Sequence, residues 1–129
     1  MIYLDTSVLL AQLLAEDRVP PAELWGETLV SSRLLEFELW VRLNARGLGG
    51  SHGENAALLL SRVGMLELAA PVLARAREPF PTAVRTLDAL HLASAHFLRE
   101  HGQTIQLASY DGRMKAAAQA LRFECYPGV

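Results

Sequence analysis

The chain opens with the stretch Met1-Ile2-Tyr3-Leu4-Asp5-Thr6-Ser7-Val8, and the predicted fold is built outward from it. Residues 2–4 are mostly apolar and favour β structure, which suits a short strand buried on both faces. Asp5 stands where this run ends, and the apolar residues 8–11 behind it predict a helix. Because ligands bind beyond the carboxyl ends of strands in open α/β sheets, Asp5 occupies a position where chemistry is expected. The alternative interpretation is that Asp5 only caps the helix.

The composition predicts one globular domain over residues 1–129. The chain is 51% hydrophobic and 20% charged, which suffices for a single hydrophobic core. No apolar run approaches the roughly 20 residues of a membrane helix, and no signal-type segment is recognised, so neither membrane insertion nor export is expected. The single cysteine, Cys125, excludes an internal disulfide and suits a reducing compartment. A cytoplasmic protein is therefore expected.

The net charge of −2 and the isoelectric point near 6.1 limit how the protein can bind nucleic acid. A protein that held nucleic acid only by neutralising phosphates would be more basic. A nucleic-acid role therefore requires cations at the acidic residues or a local patch of arginines. The candidates for such a patch are Arg33, Arg42, Arg46, Arg75, Arg77 and Arg85. Most of them are expected to be ordinary surface residues.

Predicted strands and helices alternate along the rest of the chain. The further strands are expected at residues 28–30, 65–68, 104–107 and 123–126. Helices are expected at residues 22–25, 33–45, 71–78 and 111–121, with Ser31 or Ser32 capping the second of these. A further long helix is expected to start at Thr82 or Thr86 and to end at about residue 101. The spacing Ser51-His52-Gly53-Glu54 is typical of a capping box and predicts a helix from there to about residue 62. Strands separated by helices indicate a mostly parallel sheet that is covered on both faces.

Glu38 is the acid on the second long helix that is expected to face the sheet. Glu36 lies about 200° away around the helix, so the two cannot serve one site. The residues that share the helical arc of Glu38 are Leu34, Leu35, Val41 and Ala45. A carboxylate on an inward face is costly unless it is paired. Its partner is expected to be either Arg42, one turn later, or a metal ion.

Two more acids lie near the starts of predicted helices. Asp88 falls in the first turn of a long helix, where the helix dipole favours a carboxylate, and Arg85 is an alternative ion-pair partner for it. His91, one turn further, is expected to be a hydrogen-bonded core residue rather than a ligand. Asp111 follows the fourth strand through Ser109 and repeats the arrangement around Asp5, although alone it is interpreted as an N-cap.

The four acids are more informative together than separately. Four carboxylates packed into one pocket would repel one another strongly, so cations are needed to hold them there. Oxygen ligands without nitrogen or sulfur favour Mg²⁺ or Mn²⁺. The histidines and the cysteine show none of the spacings typical of zinc sites.

These segments resemble PIN domains, in particular the VapC-type toxins of bacterial and archaeal toxin–antitoxin pairs. The resemblance covers nearly the whole chain and rests on four segments in order, Tyr3-Leu4-Asp5-Thr6-Ser7, Ser31-Ser32 leading to Glu38, Arg85-Thr86-Leu87-Asp88-Ala89-Leu90-His91-Leu92-Ala93, and Ser109-Tyr110-Asp111. It implies a three-layer α/β/α domain with a five-stranded parallel sheet in the order 3-2-1-4-5. It also implies a catalytic and metal-binding set of acids, Asp5, Glu38, Asp88 and Asp111, supported by the hydroxyl groups of Ser7 and Ser109.

The resemblance further implies an activity and partners. The expected activity is endonucleolytic hydrolysis of RNA with water activated by one or two Mg²⁺ or Mn²⁺ ions. The expected partners are a small cognate antitoxin and a second copy of the chain. Trp25, Trp40 and a flexible loop at 47–53 are expected to receive the antitoxin, or the two tryptophans are core or dimer contacts. The alternative function is a non-catalytic PIN-like module that binds RNA or protein.

Overall fold

A five-stranded parallel sheet forms the centre of the computed structural model, which describes residues 1–129. The strands are β1 (Ile2–Leu4), β2 (Leu29–Ser32), β3 (Val63–Leu66), β4 (Gln106–Ala108) and β5 (Glu124–Cys125). Their order is β3-β2-β1-β4-β5, which confirms the expected order. Ile2 on β1 pairs with Leu29 on one side and with Gln106 on the other, so β1 is the central strand.

Six helices cover the two faces of the sheet. They are α1 (Thr6–Leu14), α2 (Arg33–Ala45), α3 (Gly49–Leu60), α4 (Ala70–Ala76), α5 (Thr86–Glu100) and α6 (Gly112–Ala120), and a 3₁₀ turn spans Ala22–Gly26. Because successive side chains of a strand point to opposite faces, β1 contributes to two cores. Ile2 and Leu4 pack in the core under α1, α2 and α3, and Tyr3 packs in the core under α5 and α6. The expected three-layer architecture is confirmed.

Strands are added to the sheet first on one side of β1 and then on the other, and this change of side positions the site. From β1 the chain proceeds to β2 and β3 on one side, and β4 and β5 are then added on the other side. Connections that leave neighbouring parallel strands in opposite directions open a crevice at the carboxyl ends of those strands. Asp5 follows β1 and residues 109–111 follow β4, so both segments border this crevice.

The start of α3 differs from the prediction. The helix begins at Gly49, and Ser51 lies inside it with its hydroxyl donating to the Leu48 carbonyl, so the expected capping box is wrong. Residues 49–53 are helical rather than a flexible loop. At Gly53 a Cβ atom would lie 3.3 Å from the Trp40 ring, which indicates that glycine permits α3 to pack closely on α2. Tertiary packing here overrides the low helix propensity of the glycines.

The buried face of α2 also differs from the predicted arc. Val41 and Ala45 are exposed, whereas Leu35, Leu39 and Leu43 are fully buried. Glu38 therefore lies at the edge of the inward face rather than at its centre.

The start of β3, the two tryptophans and the length of the helices can also be compared with the predictions. β3 begins at Val63 and includes Gly64, two residues before the predicted start. Trp25 and Trp40 are half-buried and pack against the first core, as the alternative interpretation of the tryptophans expected. None of the helices has the length and apolar character that crossing a bilayer requires.

Candidate functional site

All four predicted acids line one cleft of about 370 Å³ at the crevice between β1 and β4. Asp5 and Asp111 reach it from the ends of the two strands, Glu38 from α2 and Asp88 from the first turn of α5. The other residues that line the cleft are Ser7, Arg42, Arg85, Thr86 and Leu87. Glu36 is not among them, as the helical geometry predicted. It instead pairs with Arg33 at 2.8 Å.

A larger groove of about 820 Å³ lies beside α4 and the start of α5, but its chemistry is different. It is lined mainly by apolar side chains, including Leu73, Phe80 and Val84, and contains none of the four acids. The type of side chain, rather than the size of the cavity, therefore identifies the smaller cleft as the candidate site.

Asp5 is held by two hydroxyl groups. Ser7 Oγ and Ser109 Oγ each donate a hydrogen bond to Asp5 Oδ2 at 2.8 Å. The same hydroxyl oxygens accept the backbone N–H groups of Tyr110 and Asp111, which connects the end of β4 to the end of β1. Asp5 stands at the N-cap position of α1, but its side chain makes no capping hydrogen bond there, so capping does not account for this carboxylate. Ser7 and Ser109 thus both contact Asp5, the acid that they are predicted to support.

Asp111 and Asp88 share one arginine. Asp111 Oδ1 accepts the Arg113 N–H and caps α6, while Asp111 Oδ2 lies 3.3 Å from Arg85 Nη2. Arg85 Nε lies 3.6 Å from Asp88 Oδ2, the ion pair that the sequence offered as an alternative. Burial raises the pKa of Asp88, and the nearby charges of Asp5 and Asp111 raise it further. The carboxylates at this end of the cleft thus repel one another despite the arginine.

Glu38 is paired with a histidine that the sequence did not connect to it. The side chain of Glu38 is 7% exposed, and its Oε1 contacts His91 Nε2 at 2.6 Å and accepts from Thr6 Oγ1 at 3.0 Å. Arg42, the predicted partner, is 3.8 Å from Oε2. Burial alone would raise the pKa of Glu38, but the hydrogen bonds from His91 and Thr6 hold it below its usual range.

His91 and Thr6 are the site residues that sequence reasoning missed. His91 is a buried, hydrogen-bonded core residue, as expected, but its contact with Glu38 joins it to the cleft. The only sequence features that suggest a role for them at the site are that Thr6 follows Asp5 and that His91 lies one helical turn after Asp88. Nothing local points from either residue to Glu38, because that contact crosses between elements far apart in the chain.

The cleft does not contain a preassembled metal-binding cluster. No three His, Cys, Asp or Glu side chains are grouped closely enough to hold a metal ion. The expected tight packing of four carboxylates is therefore not found, because Arg85, Arg42 and His91 supply the compensating partners. The donors are nevertheless carboxylate and hydroxyl oxygens, the kind that Mg²⁺ and Mn²⁺ prefer. The set fits such an ion by chemistry, although Arg85 lies against two of its carboxylates, those of Asp88 and Asp111.

Comparisons with known proteins place this fold among known families. Residues 2–120 match the family described as the PIN domain. The chain is 32% identical to Ribonuclease VapC47 of Mycobacterium tuberculosis over 95% of its length and 93% of the relative's. It is 31% identical to Ribonuclease VapC35 of the same species over 94% and 92% of the two chains. A chain of a toxin-antitoxin complex from Klebsiella pneumoniae has the same fold, with a TM-score of 0.65, 16% identity and coverage of 93% and 94%.

Proposed function

Because the chain belongs to the PIN-domain family, we propose that it is a Mg²⁺- or Mn²⁺-dependent endoribonuclease and the toxin of a type II toxin–antitoxin pair in the cytoplasm. The observation that carries the proposal is the convergence of Asp5, Glu38, Asp88 and Asp111 on one cleft. The names of the curated relatives, which are ribonucleases, support the activity.

The residues of the cleft have distinct roles in this proposal. A divalent cation, when bound, lowers the pKa of a water molecule and offsets the charge of a phosphate. The four acids hold one or two such ions, and Ser7 and Ser109 keep Asp5 oriented. Arg42 and Arg85, which are half to two-thirds exposed at the same cleft, contact the RNA phosphates once the acids bind the cation. This local pair of arginines supplies positive charge for RNA phosphates at the cleft, although the net charge of the chain is −2.

A small antitoxin and a second copy of the chain are the proposed partners. The structural neighbour from a toxin-antitoxin complex supports the first of these. Apolar side chains on α2 and α3, namely Phe37, Val41 and Leu58, are exposed and suit a protein interface.

The activity is tested by incubating the purified protein with structured RNAs and Mg²⁺ or Mn²⁺. We expect cleavage that a chelator abolishes and that Asp5→Asn abolishes, while the matched control Glu36→Gln, on α2 but outside the cleft, cleaves normally. Cleavage that survives Asp5→Asn would place the activity elsewhere. A stable RNA complex without products would favour the non-catalytic binding module.

The toxin role is tested in cells. Expression of the chain alone is expected to arrest growth, and co-expression of a small gene adjacent to its own is expected to restore it. If Asp5→Asn arrests growth as strongly as the parent at equal protein levels, the toxin role does not depend on cleavage and the proposal fails.

A further inference from the structure

The two oxygens of Glu38 have different surroundings. Oε1 is engaged by His91 Nε2 at 2.6 Å and by Thr6 Oγ1 at 3.0 Å. Oε2 accepts no hydrogen bond from the chain, and its nearest cation is Arg42 Nη2 at 3.8 Å, a residue that lines the cleft. One oxygen of Glu38 is therefore fixed to the protein, and the other remains for whatever enters the cleft.

The hydrogen bonds behind Glu38 begin at one backbone amide. The Ser32 N–H can only donate, and it lies 3.2 Å from Tyr3 Oη, which therefore accepts there. The tyrosine hydrogen is then free for His91 Nδ1, 2.7 Å away. With Tyr3 as the donor to Nδ1 and Nε2 as the donor to Glu38, every one of these groups has a hydrogen-bond partner.

Burial isolates this chain of hydrogen bonds from water. Tyr3 is 0% exposed and His91 is 1% exposed, and the two rings meet edge to face. Tyr3 belongs to β1 and His91 to α5, so the network joins the central strand to the helix that carries Asp88. A buried donor that is fully satisfied by its neighbours has a defined orientation, and it transmits that orientation to its acceptor.

We propose that Tyr3 and His91 are positioning residues for the reaction, an inference that rests on the proposed metal-dependent nuclease. Tyr3 sets the Nε2-protonated form of His91, and His91 together with Thr6 orients Glu38 so that Oε2 is presented to a divalent cation. Removing a hydrogen-bond partner behind a ligand typically costs about 10- to 100-fold in metal affinity or activity. A merely structural network would instead change stability and leave cation affinity in the folded variants unaltered.

Two substitutions of His91 distinguish a positioning role from a merely structural one. His91→Gln retains an amide donor near the position of Nε2, whereas His91→Asn places its amide near Nδ1 and loses the donor to Glu38. We expect folded His91→Asn to bind Mn²⁺ at least about tenfold more weakly than the parent, and His91→Gln to recover most of that loss. Binding is measured by titrating the protein with Mn²⁺ and recording the free ion by electron paramagnetic resonance. His101→Asn, at an exposed histidine after the same helix, is the matched control.

Tyr3→Phe provides the test if His91→Asn does not fold. It keeps the buried ring and removes only the hydrogen bond to Nδ1, so we expect weaker Mn²⁺ binding with the fold retained, as judged by circular dichroism. Mn²⁺ affinities of folded Tyr3→Phe and His91→Asn equal to that of the parent would overturn the proposal.

Nitrogen-15 spectra of the histidine rings in the cation-free protein provide a readout that does not depend on activity. The parent is expected to show His91 protonated at Nε2 alone, and Tyr3→Phe is expected to show a mixture of tautomers. A ring protonated at Nδ1, or at both nitrogens, in the parent would overturn the proposed order of donors. If that happens while the parent still cleaves RNA, the inference fails and the proposed function stands. If the spectra agree but the parent neither binds Mn²⁺ nor cleaves RNA, the proposed function fails instead.

Discussion

Arg85 Nη2 lies 3.3 Å from Asp111 Oδ2 and thereby links the start of α5 to the start of α6 across the cleft. The same guanidinium reaches Asp88, 3.6 Å from its Nε. In the absence of a metal ion, Arg85 thus supplies positive charge at the end of the cleft where the carboxylates repel one another. Under the proposed function, a divalent cation and Arg85 would compete for the same oxygens.

Arg85→Gln should therefore make the protein depend more strongly on divalent cations. The cation-free variant is expected to lose up to about 1 kcal/mol of stability, since its ion pairs are largely exposed. Mg²⁺ is expected to raise the melting temperature of the variant more than that of the parent, because no guanidinium has to be displaced. Thermal unfolding with and without Mg²⁺ measures both effects. The control is Arg33→Gln, which removes ion pairs to Glu36 and Glu67 outside the cleft and should show the same Mg²⁺-induced rise in melting temperature as the parent. If Mg²⁺ raises the melting temperature of Arg85→Gln no more than that of the parent, Arg85 and the cation do not compete.

Asp88→Asn should stabilise the cation-free protein at neutral pH. The pKa of Asp88 is raised in the folded state, chiefly by burial and then by Asp5 and Asp111, so the folded state binds this proton more tightly than the unfolded state does. This tighter proton binding stabilises the folded state fully below the unfolded pKa of about 3.8. The stabilisation is lost as the pH rises through the folded pKa of Asp88. The gain from Asp88→Asn is therefore expected at neutral pH and should vanish in acid. Melting temperatures across that pH range without divalent ions check the sign, and a variant that is less stable than the parent at neutral pH would refute it.

Ser7→Ala and Ser109→Ala should each weaken cleavage, and their effects should not be additive. Both hydroxyl groups donate to Asp5 Oδ2 and lie 3.4 Å from each other, so either one alone partly orients the carboxylate. Each variant also leaves one backbone N–H without its acceptor, that of Tyr110 in Ser7→Ala and that of Asp111 in Ser109→Ala, and should cost about 1–3 kcal/mol of stability. Cleavage rates and urea unfolding of the single and double variants provide the double-mutant cycle. Ser109→Thr, which keeps the hydroxyl, is the control, and strictly additive losses would show that the two serines act independently.

Ser32→Ala and Ser51→Ala distinguish the two predicted helix caps. Ser32 caps α2, because its hydroxyl oxygen accepts the Leu34 N–H at 3.0 Å, and replacing it should cost about 1 kcal/mol of stability. Ser51 lies inside α3, where alanine is the better helix former, so Ser51→Ala should be neutral or slightly stabilising. Urea unfolding measures both values. A loss of about 1 kcal/mol at Ser51 as well would mean that α3 begins later in solution.

Local patterns were sufficient for the succession of elements and for the choice among the acids. The buried strand before Asp5, the serine cap before α2 and the strand before Asp111 are each encoded by a few adjacent residues. The preference for Glu38 over Glu36 needed only helical periodicity, and the structure separates the two as predicted. The boundaries of α3 and β3 were misplaced because glycines that read as breaks are accommodated by packing against neighbouring elements.

The sequence by itself determined the order of strands and helices and the placement of the four acids on them, three at the ends of elements and Glu38 on a helical face. Hydrophobic runs, caps and helical faces are all short-range features. The tertiary structure alone decided how those acids are compensated. Glu38 is buried and takes its donor from His91, 53 positions away, and Asp111 takes Arg85 from 26 positions away. A buried carboxylate must find a donor somewhere, but only the folded chain brings that donor within hydrogen-bonding distance.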